Sequence, residues 1–176
     1  MNWHRKRIKL GACTVGALTA ALLAVSTTPA AASGTYSGRA YVYGAGVFEG
    51  DWDDEGVVSR STHTSSNATC LWQKILWADG FLDSTSDIDG VFGTDTYNAT
   101  RAWQEYENQY GAGLVVDGSA GKATFGRAHE YFDTANGKFL GLLRNFDMKR
   151  DADGNYQFVD GDGAWRKAGY DYRSCS

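Results

Sequence analysis

Beyond its first 32 residues the chain offers two histidines, two cysteines and many carboxylates as groups that could do chemistry. His63 and His129 lie far apart in sequence, and neither sits in an H-E-x-x-H spacing, so the pattern of a zinc peptidase is missing. No serine stands in G-x-S-x-G, the strand-to-helix elbow of a hydrolase nucleophile. A glycosidase needs two carboxyl groups facing each other across a cleft. The carboxylates here are concentrated in turn-like stretches such as "EGDWDDEG", Glu49 to Gly56, read as an acidic surface turn around Trp52. One stretch, "KRDADGNYQFVD", invites comparison with a calcium loop. Aligning Gly154 with the loop glycine places Asp151, Asp153 and Asp160 in ligand positions, but it puts Lys149 on the first ligand. A hairpin turn fits that stretch better. The reading from these residues is therefore a chain without catalytic residues, metal site or cofactor.

The ends of the chain set its compartment. Met1 to Leu10 carries Arg5, Lys6, Arg7 and Lys9 and no acid; an apolar run from Gly11 to Val25 follows, then Pro29-Ala30-Ala31-Ala32. A basic start, a short apolar core and a small-residue cleavage site predict a secretory signal peptide over residues 1–32. The apolar run falls short of the roughly 20 residues a membrane span needs. With the leader removed, 13 basic residues face 21 acidic ones. That balance argues against nucleic acid and against anionic lipid as electrostatic partners. Cys13 leaves with the leader, so Cys70 and Cys175 remain, and an even pair in an oxidising compartment predicts a disulfide. Two free thiols or an intermolecular bridge are the alternatives.

The elements follow from periodicity. Tyr41, Val42, Tyr43, Val47 and Phe48 favour strand, bent by glycines. Leu71, Trp72, Ile75 and Leu76 mark the apolar face of a first helix that starts near Asn67, capped by Asn67 or Ser66, and stops at Gly80. A second helix is expected from Thr94, acting as its cap, to the glycines at 111–113, with Trp103 inward. A third runs roughly from Lys122 to Phe132, with Phe125, Ala128 and His129 inward. After Gly137 alternating residues around "DADGN" and "DGDG" predict one or two hairpins, to which Met148, Tyr156, Phe158, Trp165, Tyr170 and Tyr172 contribute. The fold class is α+β. Two similar turns, Asp89-Gly90-Val91-Phe92-Gly93 and Asp117-Gly118-Ser119-Ala120-Gly121, each precede a helix and a threonine, Thr96 and Thr124. Asp89 and Asp117 can bond amides in their own turns.

Taken together, Trp72-Gln73, Leu76, Gly80, the Asp89 to Thr96 run, Ala99-Thr100, Trp103-Gln104 and the Asp117 to Phe125 run resemble the peptidoglycan-binding-like domain family. The chain departs from the family pattern at Thr69, where an aliphatic is usual, and at Ala120, where a larger apolar residue is usual. The resemblance implies a central three-helix bundle at 67–135 and a ligand drawn from peptidoglycan glycan or stem peptide. An N-terminal strand and loop segment at 33–66 and a C-terminal hairpin extension at 136–176 would complete a monomer. The first turn and the start of the second helix are the expected ligand site: Asp89, Thr94, Tyr97 and Arg101. The functional expectation is a secreted, non-catalytic cell-wall binding protein, with no membrane attachment once the leader is gone. The alternatives are a secreted protein-interaction module that keeps only the fold and a small cell-wall hydrolase.

Overall fold

Ser66 turns the chain into its first helix. Its Oγ accepts the Thr69 amide at 3.0 Å, so Ser66, not Asn67, is the cap of α1, Asn67–Asp79. Gly80 ends the helix at φ +82°, a conformation that only glycine adopts cheaply. Every residue of α1 except Trp77 is buried, which makes it the central element. A single 3-10 turn, Thr85–Asp87, leads to α2, Thr94–Asn108. The α2 helix buries Thr96, Ala99, Thr100, Trp103, Gln104 and Glu107 along one stripe, as the 3.6-residue period requires. The third helix, α3, spans Lys122–His129.

The computed structural model describes residues 38–175. The expected signal peptide and the first residues after it lie outside the described residues. Among them the helices meet over aromatic rings. Trp72 packs edge-on against Trp103 at 5.2 Å and against Phe125 at 5.5 Å between centroids. Two of the buried indole nitrogens find partners, Trp72 Nε1 donating to Thr100 Oγ1 and Trp103 Nε1 to Asp79 Oδ2, each at 2.8 Å, whereas Trp52 Nε1 has none among the described residues. Phe92, Trp103 and Phe125 share one buried cluster, and Trp72 joins them, as packing at helical spacing predicts.

Five antiparallel strands follow in chain order: β1 Phe132–Asp133, β2 Lys138–Leu140, β3 Asn145–Arg150, β4 Tyr156–Val159 and β5 Trp165–Lys167. In β3 the alternation is plain, with Phe146 and Met148 inward and Asn145, Asp147 and Lys149 outward. The "DADGN" and "DGDG" stretches are the β3–β4 and β4–β5 turns, with Arg150 opposite Tyr156 and Val159 opposite Trp165. Cys70 and Cys175 are bonded, with Cα atoms 6.6 Å apart.

Several expectations change. The third helix stops at His129, and Phe132 belongs to β1, paired with Phe139. The sheet therefore starts before Gly137. Tyr41 and Tyr43 form single bridges to Gly169 and Asn155, not a strand, because glycines bend the chain on from there. Tyr170 and Tyr172 lie beyond the end of β5 and not in a hairpin strand. The largest change concerns "EGDWDDEG". Trp52 is 0% exposed, and Asp51 and Glu55 are buried beside it. What permits this is compensation from distant parts of the chain. Arg150 Nη1 pairs with Asp51 Oδ2 at 2.7 Å, and Tyr156 donates its hydroxyl hydrogen to the same oxygen at 2.6 Å. Glu55 accepts from the Tyr43 amide at 2.6 Å and from the Tyr170 hydroxyl at 2.5 Å. Apart from Tyr43, these partners lie about a hundred residues from the turn in sequence.

Candidate ligand site at the paired turns

The two Asp-Gly turns are held by one device used twice. In the first, Gln73 Oε1 accepts the Gly90 amide at 2.7 Å. Its Nε2 donates to Asp89 Oδ1 at 2.8 Å, the Val91 carbonyl at 3.1 Å and Thr96 Oγ1 at 3.0 Å. In the second, Gln104 Oε1 accepts the Gly118 amide at 3.0 Å, and its Nε2 reaches Asp117 Oδ1, the Ser119 carbonyl and Thr124 Oγ1 at 3.3, 2.9 and 3.2 Å. Each aspartate also accepts the amide two residues on, Val91 or Ser119, at 2.8 Å. Glutamine, aspartate, glycine and threonine at this spacing thus form a closed polar unit in which a helix reads the turn that precedes the next helix. Both glutamines are buried, so the unit is part of the interior.

Replacing Gln73 with leucine keeps the volume and deletes all of these bonds, leaving the Gly90 amide without its acceptor. Gln73→Leu is expected to lower stability by about 2–3 kcal/mol, on the order of one buried polar group left unsatisfied. Gln104→Leu should do nearly the same. Urea denaturation of each variant checks it; a loss below about 0.5 kcal/mol in both would mean that the turns hold themselves.

Glycine is required at both corners for different neighbours. Gly90 has φ +71°, and a Cβ there would sit 2.6 Å from Cys70 Sγ and 2.9 Å from Cys175 Sγ. The first turn is therefore seated on the disulfide. Gly118 has φ +73°, and its missing Cβ leaves room for the Tyr97 ring. Arg101 packs beside it, its Cγ 3.0 Å from where that Cβ would be.

Among the expected site residues, then, Thr94, Tyr97 and Arg101 follow one another along the first half of α2, and Tyr97 and Arg101 pack against the second turn. Asp89 does not share that strip through its Oδ1, which is committed to Gln73 and Val91. Thr94 is not a cap: Gly93 occupies the cap position, with no side-chain bond to the first amides of α2. Instead Thr94 Oγ1 accepts from Arg60 Nη2 at 3.1 Å. The Arg60 guanidinium lies over the Tyr97 ring at 4.6 Å. Arg101 is exposed, with Glu105 at 3.8 Å as its ion-pair partner.

Arg60 is the residue that reading the sequence missed. It stands in "VVSRSTHTSSN", where a lone base carries no signal. Two bridges bring it in, Val58 with Ala120 and Ser65 with Val91, so that the 58–65 segment runs from one turn to the other. These bridges also account for the two departures from the motif. Ala120 is fully buried where the Val58 backbone crosses it at 2.9 and 3.0 Å. Thr69 is fully buried and donates its hydroxyl to the His63 carbonyl at 2.8 Å, tying the same segment to α1.

The start of α1 is occupied. Asn67 Oδ1 accepts the Ser174 and Cys175 amides at 2.8 and 3.2 Å, and the Asn67 and Ala68 amides donate to the Tyr172 and Gly169 carbonyls. Its amides are therefore not available to an outside ligand, whereas those of α2 have no side-chain cap.

Residues 65–127 match the model of one family, described as "Putative peptidoglycan binding domain". The matched domain takes in α1, α2, most of α3 and both glutamine-held turns, about a third of the chain. The match supports a peptidoglycan-binding role and an association with the cell wall. The 58–64 part of the strap that carries Arg60, and the sheet, lie outside the matched domain. No curated protein and no solved structure matches the chain. Among the described residues no helix is long and apolar enough to cross a membrane.

Proposed function

We propose that the chain is a secreted, non-catalytic module that binds peptidoglycan, with residues 67–135 as a three-helix binding domain and 136–176 as a hairpin extension packed on it. The observation that carries this is the duplicated Gln-Asp-Gly-Thr unit inside a stretch that matches the family model. The ligand surface in this reading is the strip formed by Arg60, Thr94, Tyr97 and Arg101, with Asp89 supporting it from within the first turn. Two guanidinium groups beside a helix start without a side-chain cap form a setting for an anion. In peptidoglycan the matching group is a stem-peptide carboxylate. The part of the half-buried Tyr97 ring that Arg60 and Gly118 leave uncovered supplies contact area for a peptide or sugar. The basic leader and the oxidised cysteine pair support export.

The test is sedimentation with purified, insoluble peptidoglycan. The mature protein should pellet with it, and albumin should not. Arg60→Ala with Arg101→Ala should reduce retention at least tenfold while leaving the fold intact, because both side chains are exposed. Equal retention of that variant would remove the strip as the site. Loss of all retention in the parent protein would favour a protein-interaction module that keeps the fold alone.

A further inference from the structure

A groove of about 700 Å³ runs between α3 and the Phe48 to Asp53 turn, with Gly111 and Ala112 also in its lining. It shares no residue with the Arg60 strip. One wall is His129, which is 8% exposed. The proton arrangement behind it can be worked out. Asp51 is the carboxylate of an ion pair with Arg150, so it accepts, and the Tyr156 hydroxyl donates to it at 2.6 Å. The single hydroxyl hydrogen is then spent. At 2.9 Å the Tyr156 oxygen must accept from His129 Nε2, which therefore carries the ring hydrogen. In the neutral imidazole Nδ1 is a lone-pair acceptor, and it makes no hydrogen bond among the described residues. Burial holds the His129 pKa below the ordinary histidine value, with opposition from Asp51 and Asp53, which keeps the ring neutral at pH 7.

The other open groups of the groove also accept. Glu49 and Asp53 line it, and neither takes part in an ion pair among the described residues. Asp53 reaches in over α3 because Gly126 has no side chain: its carboxylate occupies the space a Cβ would fill. Among the described residues that line the groove the cation is Arg127, and it is neutralised by Glu107 at 2.7 Å and by Glu130. A ligand for this groove must therefore donate hydrogen bonds and carry positive charge. The Phe48 and Phe132 rings, 6.1 Å apart, flank the space with apolar surface.

We propose that this groove is a second binding site, for an aliphatic primary ammonium of the kind a diamino-acid side chain carries, with Asp53 and Glu49 as counter-charges and His129 Nδ1 as acceptor. The alkyl stem would lie against Phe132 and the side of Phe48 that the Arg150 guanidinium, 3.9 Å over the other face of that ring, leaves open. The site is independent of the wall-binding strip and stands whether or not that reading holds.

Titration of the full-length mature protein with pentylamine, followed through the His129 ring nitrogens by NMR, tests it. A saturable shift of Nδ1 is expected, with no comparable response to pentan-1-ol. Asp53→Asn should weaken amine binding at least fivefold; Asp53 is exposed, so the variant should fold, and far-UV circular dichroism checks that it does. The Arg60→Ala, Arg101→Ala variant should bind the amine unchanged. No saturable shift, an equal shift with the alcohol, or undiminished binding by Asp53→Asn would overturn the proposal.

Discussion

Replacing Cys70 and Cys175 together by serine is expected to lower the unfolding free energy by about 4–5 kcal/mol, the chain-entropy figure for a loop of this length. The two residues are 105 positions apart, so the bond constrains the chain from α1 to Cys175 in its unfolded state. The native contacts of the tail do not depend on the bond alone. Asn67 still holds the Ser174 and Cys175 amides, and Arg173 Nη1 still donates to the Asp89 carbonyl at 2.9 Å. The variant should therefore keep the wild-type fold at low temperature and melt about 10–20 °C earlier, given a few degrees per kcal/mol for a domain of this size. Its urea m-value should rise, because an uncrosslinked unfolded chain exposes more surface. Asn67→Ala is the useful contrast, since it acts on the native state: it should loosen residues 169–175 without changing the m-value. A Cys70→Ser, Cys175→Ser protein that loses less than about 1 kcal/mol would show that the loop is already short-circuited by structure in the unfolded chain. The bond also has a bearing on the proposed ligand site, because Gly90 is seated on both sulfurs. Loss of the disulfide should make the first turn mobile while the second, which rests on Tyr97, stays ordered.

How far the sequence could be read depended on the range of the interactions concerned. The α1 and α2 helices, both Asp-Gly turns and the two hairpin turns are specified by neighbours within a few residues, through apolar period, glycine at positive φ and aspartate bonded to its own turn. The aromatic interior was legible for the same reason, since Trp72, Trp103 and Phe125 each lie on a helical stripe. The role of Gln73 and Gln104 was only half visible. The motif contains them, but nothing local tells that each reads a turn 13 to 18 residues further on. The buried Asp51, Trp52 and Glu55 were illegible. A run of acids with one tryptophan reads as surface, and only Arg150, Tyr156 and Tyr170, about a hundred residues later, make burial affordable. Arg60 belongs to the same class: its place between Thr94 and Tyr97 is decided by two single bridges, which leave no periodic trace. In each case what escaped was a polar contact of long sequence separation, and in the candidate site Arg60 enters through such contacts, while Thr94, Tyr97 and Arg101 follow from the period of α2.

Glu55 supplies the second large effect, a pH dependence of stability with an unusual sign. Burial is the first cause that raises its pKa from 4.5 to about 7, against the hydrogen bonds from Tyr170 and Tyr43, which pull the other way. No cation pairs with it among the described residues. A group whose folded pKa lies above its unfolded value binds its proton more tightly when folded. Its favourable contribution is complete below the unfolded value of 4.5 and is lost as pH rises through about 7. The difference amounts to up to about 3 kcal/mol between pH 4.5 and pH 8. Other groups run the opposite way. Asp151 and Asp160 are held below the usual carboxylate range by hydrogen bonds, from Lys167 and Arg166 first among the lowering causes, and His129 is held below the histidine range by burial. Their contributions are present at high pH and fade as pH falls, so the total profile of the wild type would hide the Glu55 term. The Glu55→Gln variant isolates it. The amide is always neutral, occupies the same space and can still accept from the Tyr43 amide, so every other titration cancels in the difference between the two proteins. Urea denaturation at a series of pH values should show the variant gaining on the wild type by about 2–3 kcal/mol from pH 5 to pH 8.5. A difference that stays flat across that range would mean that water reaches Glu55 and that the Tyr170 contact does not seal the carboxylate inside.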